Sequence, residues 1–280
     1  MRLLSLFALL AAAAAFAQVP KGRFERTLRV SGPVRLDLTT DSGGISVAPG
    51  APGTVQIRGI LKGRRAPDAA EIERRIRALE RNPPIEQTGN TIRAGYVENR
   101  ELLRGVSMRL EVLAPPDSSL VARTDSGGIR VEGIQGPVNA EADSGGIAAA
   151  GIGSQVRAVT DSGGIEIRGV SGPVFARADS GGIEALEVGG AIDVAADSGG
   201  IRVSQTTPAP VRVRVDSGGA EVRLAPNGGY NLLVGSDSGR VDVPELAVRG
   251  TISRNRVEGT IRGGGPQVDI RVDSGNVHIE

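Results

Sequence analysis

Through the middle of the chain, apolar residues fall on alternate positions in short runs, and each run ends in a cluster of small polar residues. From Asp125 the pattern restarts every 18 residues: DSGGIRVEGIQGPVNAEA (125–142), DSGGIAAAGIGSQVRAVT (143–160), DSGGIEIRGVSGPVFARA (161–178) and DSGGIEALEVGGAIDVAA (179–196). In each unit the fifth and seventh residues are apolar (Ile129 and Val131, Ile147 and Ala149, Ile165 and Ile167, Ile183 and Ala185), and the sixth is usually charged. This period-two alternation describes a short strand with one buried face. Positions fourteen, sixteen and eighteen repeat it, as Val138, Ala140 and Ala142 or Val174, Ala176 and Ala178, so each unit holds a second strand. Turn formers separate the two strands, Gly133 to Pro137 on one side and Asp-Ser-Gly-Gly on the other.

One unit alone has too little apolar surface to be stable, but stacked units pair like strand with like strand in parallel ladders about 4.8 Å apart. The pattern predicts an all-β fold, a right-handed parallel β-solenoid (single-stranded β-helix) with ~18-residue coils. Alanine at the inward positions of the second strand implies a flattened, narrow interior. A left-handed hexapeptide helix fails the same pattern, because steps of six from Ile129 land on Gln135 and Glu141.

Asp-Ser-Gly begins at Asp41, Asp125, Asp143, Asp161, Asp179, Asp197, Asp216, Asp237 and Asp273, with spacings of 84, 18, 18, 18, 18, 19, 21 and 36. The string resembles protease active sites, but nine copies in register are architecture. A serine protease needs a histidine base, and the sole histidine is His278. An aspartic protease needs two facing carboxylates, not a row. The sequence therefore assigns no catalytic, cofactor-binding or metal-ligating residue. Each Asp is expected to form an Asx-turn, its carboxylate accepting the N–H groups of the glycines two and three residues on. A calcium-binding β-roll is the rival reading of the aspartate row, although the familiar roll repeats nine residues of type G-G-x-G-x-D.

Outside the regular coils (125–215) the pattern loosens. Outward positions of the first strand carry Arg130, Ala148, Glu166, Glu184, Arg202 and Glu221, which reads as a solvated face of mixed charge. The C-terminal coils (216–280) contain an insertion at Tyr230, expected to protrude and the best candidate among the insertions for a ligand contact, and a degenerate coil at 255–272. DSGNVHIE is expected to add one last strand. In the 84-residue gap, VRLDLTTDSGGISVAPGAPGTVQIRG reads as a first coil with three short strands. A short α-helical insert follows over about 67–82: Pro67-Asp68 opens it, Ile72, Ile76 and Leu79 share one face, and Asn82-Pro83-Pro84 stops it. A helix this short must pack on something, here the open end or a flank of the solenoid, with partner binding as the alternative.

Composition adds a destination. Residues 1–17 have the pattern of a secretory signal peptide: Arg2, an apolar run from Leu3 to Phe16, and a small-residue site at Ala15-Phe16-Ala17. The expected mature domain, 18–280, would be exported to the periplasm, the cell surface or the medium. Without Arg2, 32 basic residues face 32 acidic ones, which gives no broad footprint for nucleic acid and predicts no stable membrane insertion. There is no Cys, hence no disulfide and no catalytic thiol. Beyond the signal only Phe24, Tyr96, Phe175 and Tyr230 are aromatic, few for a sugar-stacking groove.

The signal peptide, the GGISV and GTVQI pair, the charged helical insert, VLAPPDSSL, the repeated DSGGIxV coils and the closing GTIRGGGPQVDIRVDSGNVHIE resemble the bacterial putative-adhesin, β-strand-repeat family of unknown function. The resemblance implies a β-solenoid exported to the cell envelope and supplies no catalytic residues. The expectation is a non-enzymatic envelope scaffold or adhesion-type binding module, with an envelope protein or a glycan as partner. A polysaccharide-degrading β-helix enzyme is the alternative, and it would need clustered carboxylates across a groove.

Overall fold

The computed structural model describes residues 19–64, 69–244 and 247–280. The signal-peptide expectation and the Pro67-Asp68 start of the helix lie outside those residues. Two sheets, of twelve and thirteen strands, make up almost all of the fold. Through the regular region the chain alternates between them. Val138–Ser144 and Val156–Ser162 lie in the second sheet, and Ile147–Ile152 between them lies in the first.

Partners in the parallel ladders sit 18 residues apart, Val138 with Val156, Val156 with Val174, and Val174 with Ile192 in the second sheet. In the first sheet Ile147 pairs with Ile165, and Ile165 with Ile183. The register is held because a slip of one residue would turn every buried side chain outward. Inward residues such as Ile129, Val131, Ala140, Ala158, Ile167 and Ala176 are buried without exception. Where the repeat gains a residue, Ile192 pairs with Val211, and the extra residue is taken up in the turn between Ile201–Gln205 and Val211–Ser217.

At the N-terminal end, Arg35–Ser42 and Ile45–Pro49 stack directly on Ser119–Ser126 and Ile129–Glu132, pairing Leu36 with Leu120 and Ile45 with Ile129. The intervening segment extends the end of the sheets. Thr54–Gly63 runs antiparallel between Val106–Ala114 and Lys21–Arg29, the last of these a strand the sequence pattern does not announce. The helix, Ala69–Arg81, lies against these strands with Ile72, Ile76 and Leu79 buried. Its close seat depends on Gly63, where a Cβ would stand 2.6 Å from Ile72 Cγ2. The helix thus covers a flank at the N-terminal end of the first sheet. No described helix is long and apolar enough to cross a membrane.

The C-terminal end departs from the expectation. DSGNVHIE does supply the last strand of the chain, Val277–Ile279, but this strand and Gln267–Ser274 do not stack on the end of the sheets. They insert between earlier coils, pairing Val211 with Val268 and Ala220 with Val277 on one side, Asn231 with Gln267 and Val241 with Val277 on the other. Nor is 255–272 a degenerate coil. Arg256–Ile261 runs antiparallel to both Tyr230–Ser236 and Arg249–Ile252. The physical reason is the short link Ser253 to Asn255, which can join only antiparallel neighbours.

Candidate functional site

The Asp-Ser-Gly-Gly turns form one long edge of the molecule, and hydrogen bonds between successive turns hold it. The first glycine of each turn donates its N–H to the serine carbonyl of the next: Gly127 to Ser144 O at 2.9 Å, Gly145 to Ser162 O at 2.8 Å, Gly163 to Ser180 O at 2.9 Å. The isoleucine after the turn donates to the second glycine's carbonyl of the next, Ile147 to Gly164 O at 3.0 Å. The Asx-turn expectation is therefore corrected. The first glycine's N–H is already committed to the neighbouring coil, and among the described residues the carboxylates of these aspartates accept no hydrogen bond. All but the half-buried Asp41 stand exposed in solvent.

Glycine is required at the first position for two reasons. Gly127, Gly145 and Gly163 have φ of +154°, +153° and +150°, a region L side chains rarely adopt. A Cβ on Gly163 would also stand 2.6 Å from the carbonyl carbon of Gly145. At each of these turns the place a Cβ would take on the first glycine is filled by the carbonyl of the turn below. Where Thr precedes Asp, its buried hydroxyl adds a donor: Thr160 Oγ1 reaches Gly145 O at 3.0 Å, and Thr124 Oγ1 reaches Gly43 O at 3.1 Å.

The second glycine has no side chain to fill the corner between this edge and the outer face of the first sheet. The result is an open groove of about 1320 Å³ that runs past seven successive turns, from Gly44 to Gly219. One wall is the outward row of Ser46, Arg130, Glu166, Glu184, Arg202 and Glu221. Its charges are taken up in ion pairs: Arg202 pairs with Glu221 at 3.0 Å within the row, and Arg168, beside the groove, bridges Glu166 and Glu184 at 3.9 and 3.7 Å. Exposed pairs of this kind stabilise by at most about 1 kcal/mol. The groove is thus nearly neutral, lined by apolar as well as charged groups, and floored by backbone.

His278 faces Asp242, with Nδ1 3.5 Å from Oδ2. No motif serine is hydrogen-bonded to it among the described residues. No group of three or more His, Cys, Asp or Glu among the described residues is arranged to hold a metal ion.

Tyr230 does not sit on a protruding loop. It is fully buried, its hydroxyl accepts the Ala225 N–H at 3.1 Å, and it donates to Gln205 Oε1 at 3.2 Å. Gln205 Nε2 in turn donates to the Gly190 and Ala209 carbonyls at 3.2 and 3.1 Å. The two insertions in the repeat meet at this ring, so the added residues pin a corner. Burial pushes the Tyr230 phenol above its ordinary value, and the Ala225 hydrogen bond opposes the shift. Tyr96, at the other end, donates to Asp37 Oδ1 at 2.7 Å and is shifted the same way, by burial first and Asp37 second.

The outer face of the second sheet carries a feature the sequence reading missed. Phe175 is sandwiched between two guanidinium groups, Arg157 at 4.2 Å and Arg177 at 4.1 Å from the ring centroid. The signal was present, since residues 139, 157, 175 and 193 form one outward column at the repeat spacing.

The model of the Toastrack DUF4097 domain family matches residues 118–280, more than half of the chain. No curated protein matches it. A Bacteroides fragilis protein described as a putative adhesin has a similar structure, with a TM-score of 0.51 at 14% identity, covering 92% of this chain and 97% of its own. A putative cell adhesion protein from Clostridium sporogenes aligns over 92% of this chain and 99% of its own, at 11% identity and a TM-score of 0.25.

Proposed function

Because this chain belongs to the Toastrack DUF4097 family, we propose that it is a non-enzymatic binding module of the cell envelope, a right-handed β-solenoid of 18-residue coils that presents the glycine-floored groove to an extended ligand. The observation that carries the proposal is the continuity of that groove across seven turns, a length suited to a linear partner and not to a small substrate. The 18-residue pairing register and the general handedness of parallel connections support the solenoid reading. The N-terminal sequence pattern supports export. Against catalysis stand the uptake of the groove's charges in ion pairs and the exposure of the aspartate edge, where no low-dielectric pocket would tune a pair of carboxylates for acid–base work.

The test uses a residue that the groove itself recommends. Gly164 lacks positive φ, and a Cβ there meets only Gly182 O at 3.6 Å, so Gly164→Trp fills the groove without disturbing the turn. The mature protein and this variant are compared on envelope preparations and on a glycan array, with release of reducing ends assayed in parallel. Binding by the native protein, weakened roughly tenfold or more by the variant and without release of sugar ends, is the expected result. Sugar-end release, or binding that a folded Gly164→Trp variant retains in full, would overturn the reading.

A further inference from the structure

The exposed aspartates and the arginine-bearing face of the second sheet are two surfaces of opposite charge with the same pitch. Eight of the motif serines pair in one continuous ladder, from Ser42 with Ser126 through Ser162 with Ser180 to Ser217 with Ser274. The aspartate before each is thereby stacked about 4.8 Å from the next. Among the described residues none of the eight has an ion-pair partner. Adjacent carboxylates at that distance repel by about 1 kcal/mol even in water, so the row gains from any array of cations delivered at the same spacing.

The outer face of the second sheet offers arginines on the same coil spacing, at some coils and not at every one. Between Ser119–Ser126 and Gln267–Ser274 its outward positions hold Arg123, Arg157, Arg177, Arg212, Arg214 and Arg271. Four carboxylates oppose them: Glu141 and Asp37 pair with Arg123 at 3.2 and 3.5 Å, Asp193 with Arg177 at 2.7 Å, and Asp269 with Arg271 at 3.2 Å. Arg157 and Arg214 have no carboxylate partner among the described residues, and Arg212 reaches Asp193 only at 3.9 Å. The half-exposed Phe175, stacked between Arg157 and Arg177, gives the face a rigid aromatic centre of the kind that anchors interfaces. Nothing else in the described chain covers it.

We propose that this face docks the aspartate row of a second copy of the chain, edge against face. A second copy is the occupant the geometry favours because its carboxylates repeat at the pitch of the same coils that space the arginines. Arg157 and Arg212 lie in one column and Arg123, Arg177, Arg214 and Arg271 in the next, so the seam sets an arginine against an aspartate at some coils and leaves others without a pair. The interface is heterologous, since each copy offers one edge and one face, and it propagates into side-by-side arrays. It is separate from the groove and stands whether or not the groove binds a ligand.

Sedimentation of the mature protein at about 0.02 M and about 0.5 M salt tests the proposal, because the screening length falls several-fold between them. Association at low salt, at least tenfold weaker at high salt, is expected. Two folded variants, each checked by circular dichroism, should both sediment as monomers at low salt: Arg157→Glu with Arg214→Glu, and Asp161→Lys with Asp179→Lys. Mixing them should restore association, since each then presents what the other has lost. A monomeric native protein at low salt, variants that still self-associate, or a mixture that stays monomeric would each overturn the proposal. So would binding of the arginine face to anionic phospholipid vesicles without self-association, which would assign it to a lipid surface.

Discussion

Gly163 and Gly164 are neighbours in one turn, yet the structure predicts opposite consequences of adding one methyl group. In Gly163→Ala the new Cβ would be held at φ of +150° and 2.6 Å from the Gly145 carbonyl carbon. The backbone conformation alone costs about 1–3 kcal/mol, and relief of the contact requires a shift in two hydrogen-bonded turns, adding about 1–2 kcal/mol. In Gly164→Ala the Cβ meets Gly182 O at an ordinary 3.6 Å. Both substitutions restrict the unfolded chain equally, a stabilisation of about 0.4–1 kcal/mol that cancels between them. The difference, about 2–5 kcal/mol, corresponds to a Tm separation of roughly 5–15 °C for a chain of this size. Far-ultraviolet circular dichroism melts of the two variants and the native protein read it directly. Gly163→Ala should melt far below the native protein, with Gly164→Ala at or slightly above it. Equal melting of the two variants would refute the claim that the carbonyl of the turn below fills the place of a Cβ on each turn's first glycine.

Deletion of Asp161 to Ala178 should join Thr160 to Asp179 with both ladders in phase, Val156 against Ile192 and Ile147 against Ile183, and leave a cooperative β-type melt; deletion of Asp161 to Gly169 should put unlike strands together and cause aggregation, and equal tolerance of the two would contradict an 18-residue coil. Tyr230→Phe orphans the Ala225 N–H and Gln205 Oε1, a loss of about 1–3 kcal/mol at neutral pH. Because the folded phenol is shifted above its ordinary 10.0, its contribution is intact below that pH and lost as pH rises through the folded value, so melts across the alkaline range should fall less steeply in the variant than in the native protein.

Much of this architecture is legible in the sequence because the repeat states it nine times. Strand positions, the inward columns such as Ile129, Ile147, Ile165 and Ile183, and the helical face of Ile72, Ile76 and Leu79 all follow from periodicity. Periodicity is blind to spatial order once the spacing breaks. Nothing in the run after Asp237 says that the strand at Val268 prefers the side of Val211, because a parallel ladder accepts any strand of matching pattern. Turn chemistry misleads for a related reason. A single Asp-Ser-Gly-Gly would satisfy its glycine N–H locally, but stacked copies offer each N–H a better-placed carbonyl from the adjacent coil. The expectation for Tyr230 fails because an insertion in one turn ordinarily protrudes, whereas two insertions, at 205–210 and 225–230, can close on each other. The Arg157–Phe175–Arg177 stack lies in an outward column that alternation classifies only as solvent-facing.

The placement of Gln267–Ser274 and Val277–Ile279 between older coils sets an order of events in time. Tyr230–Ser236 leaves the ribosome before them, but its parallel partner in the sheet is a strand made later. Until that strand arrives, Val211–Ser217 presents an open edge and the Tyr230 segment has no parallel neighbour to dock against. The C-terminal quarter of the molecule therefore cannot be laid down coil by coil as it emerges, and must wait for its last piece to be threaded into place. A chain stopped short of Gln267 would keep its regular coils yet carry an unclosed sheet, a lesion that a protease or a chaperone can tell from the finished protein.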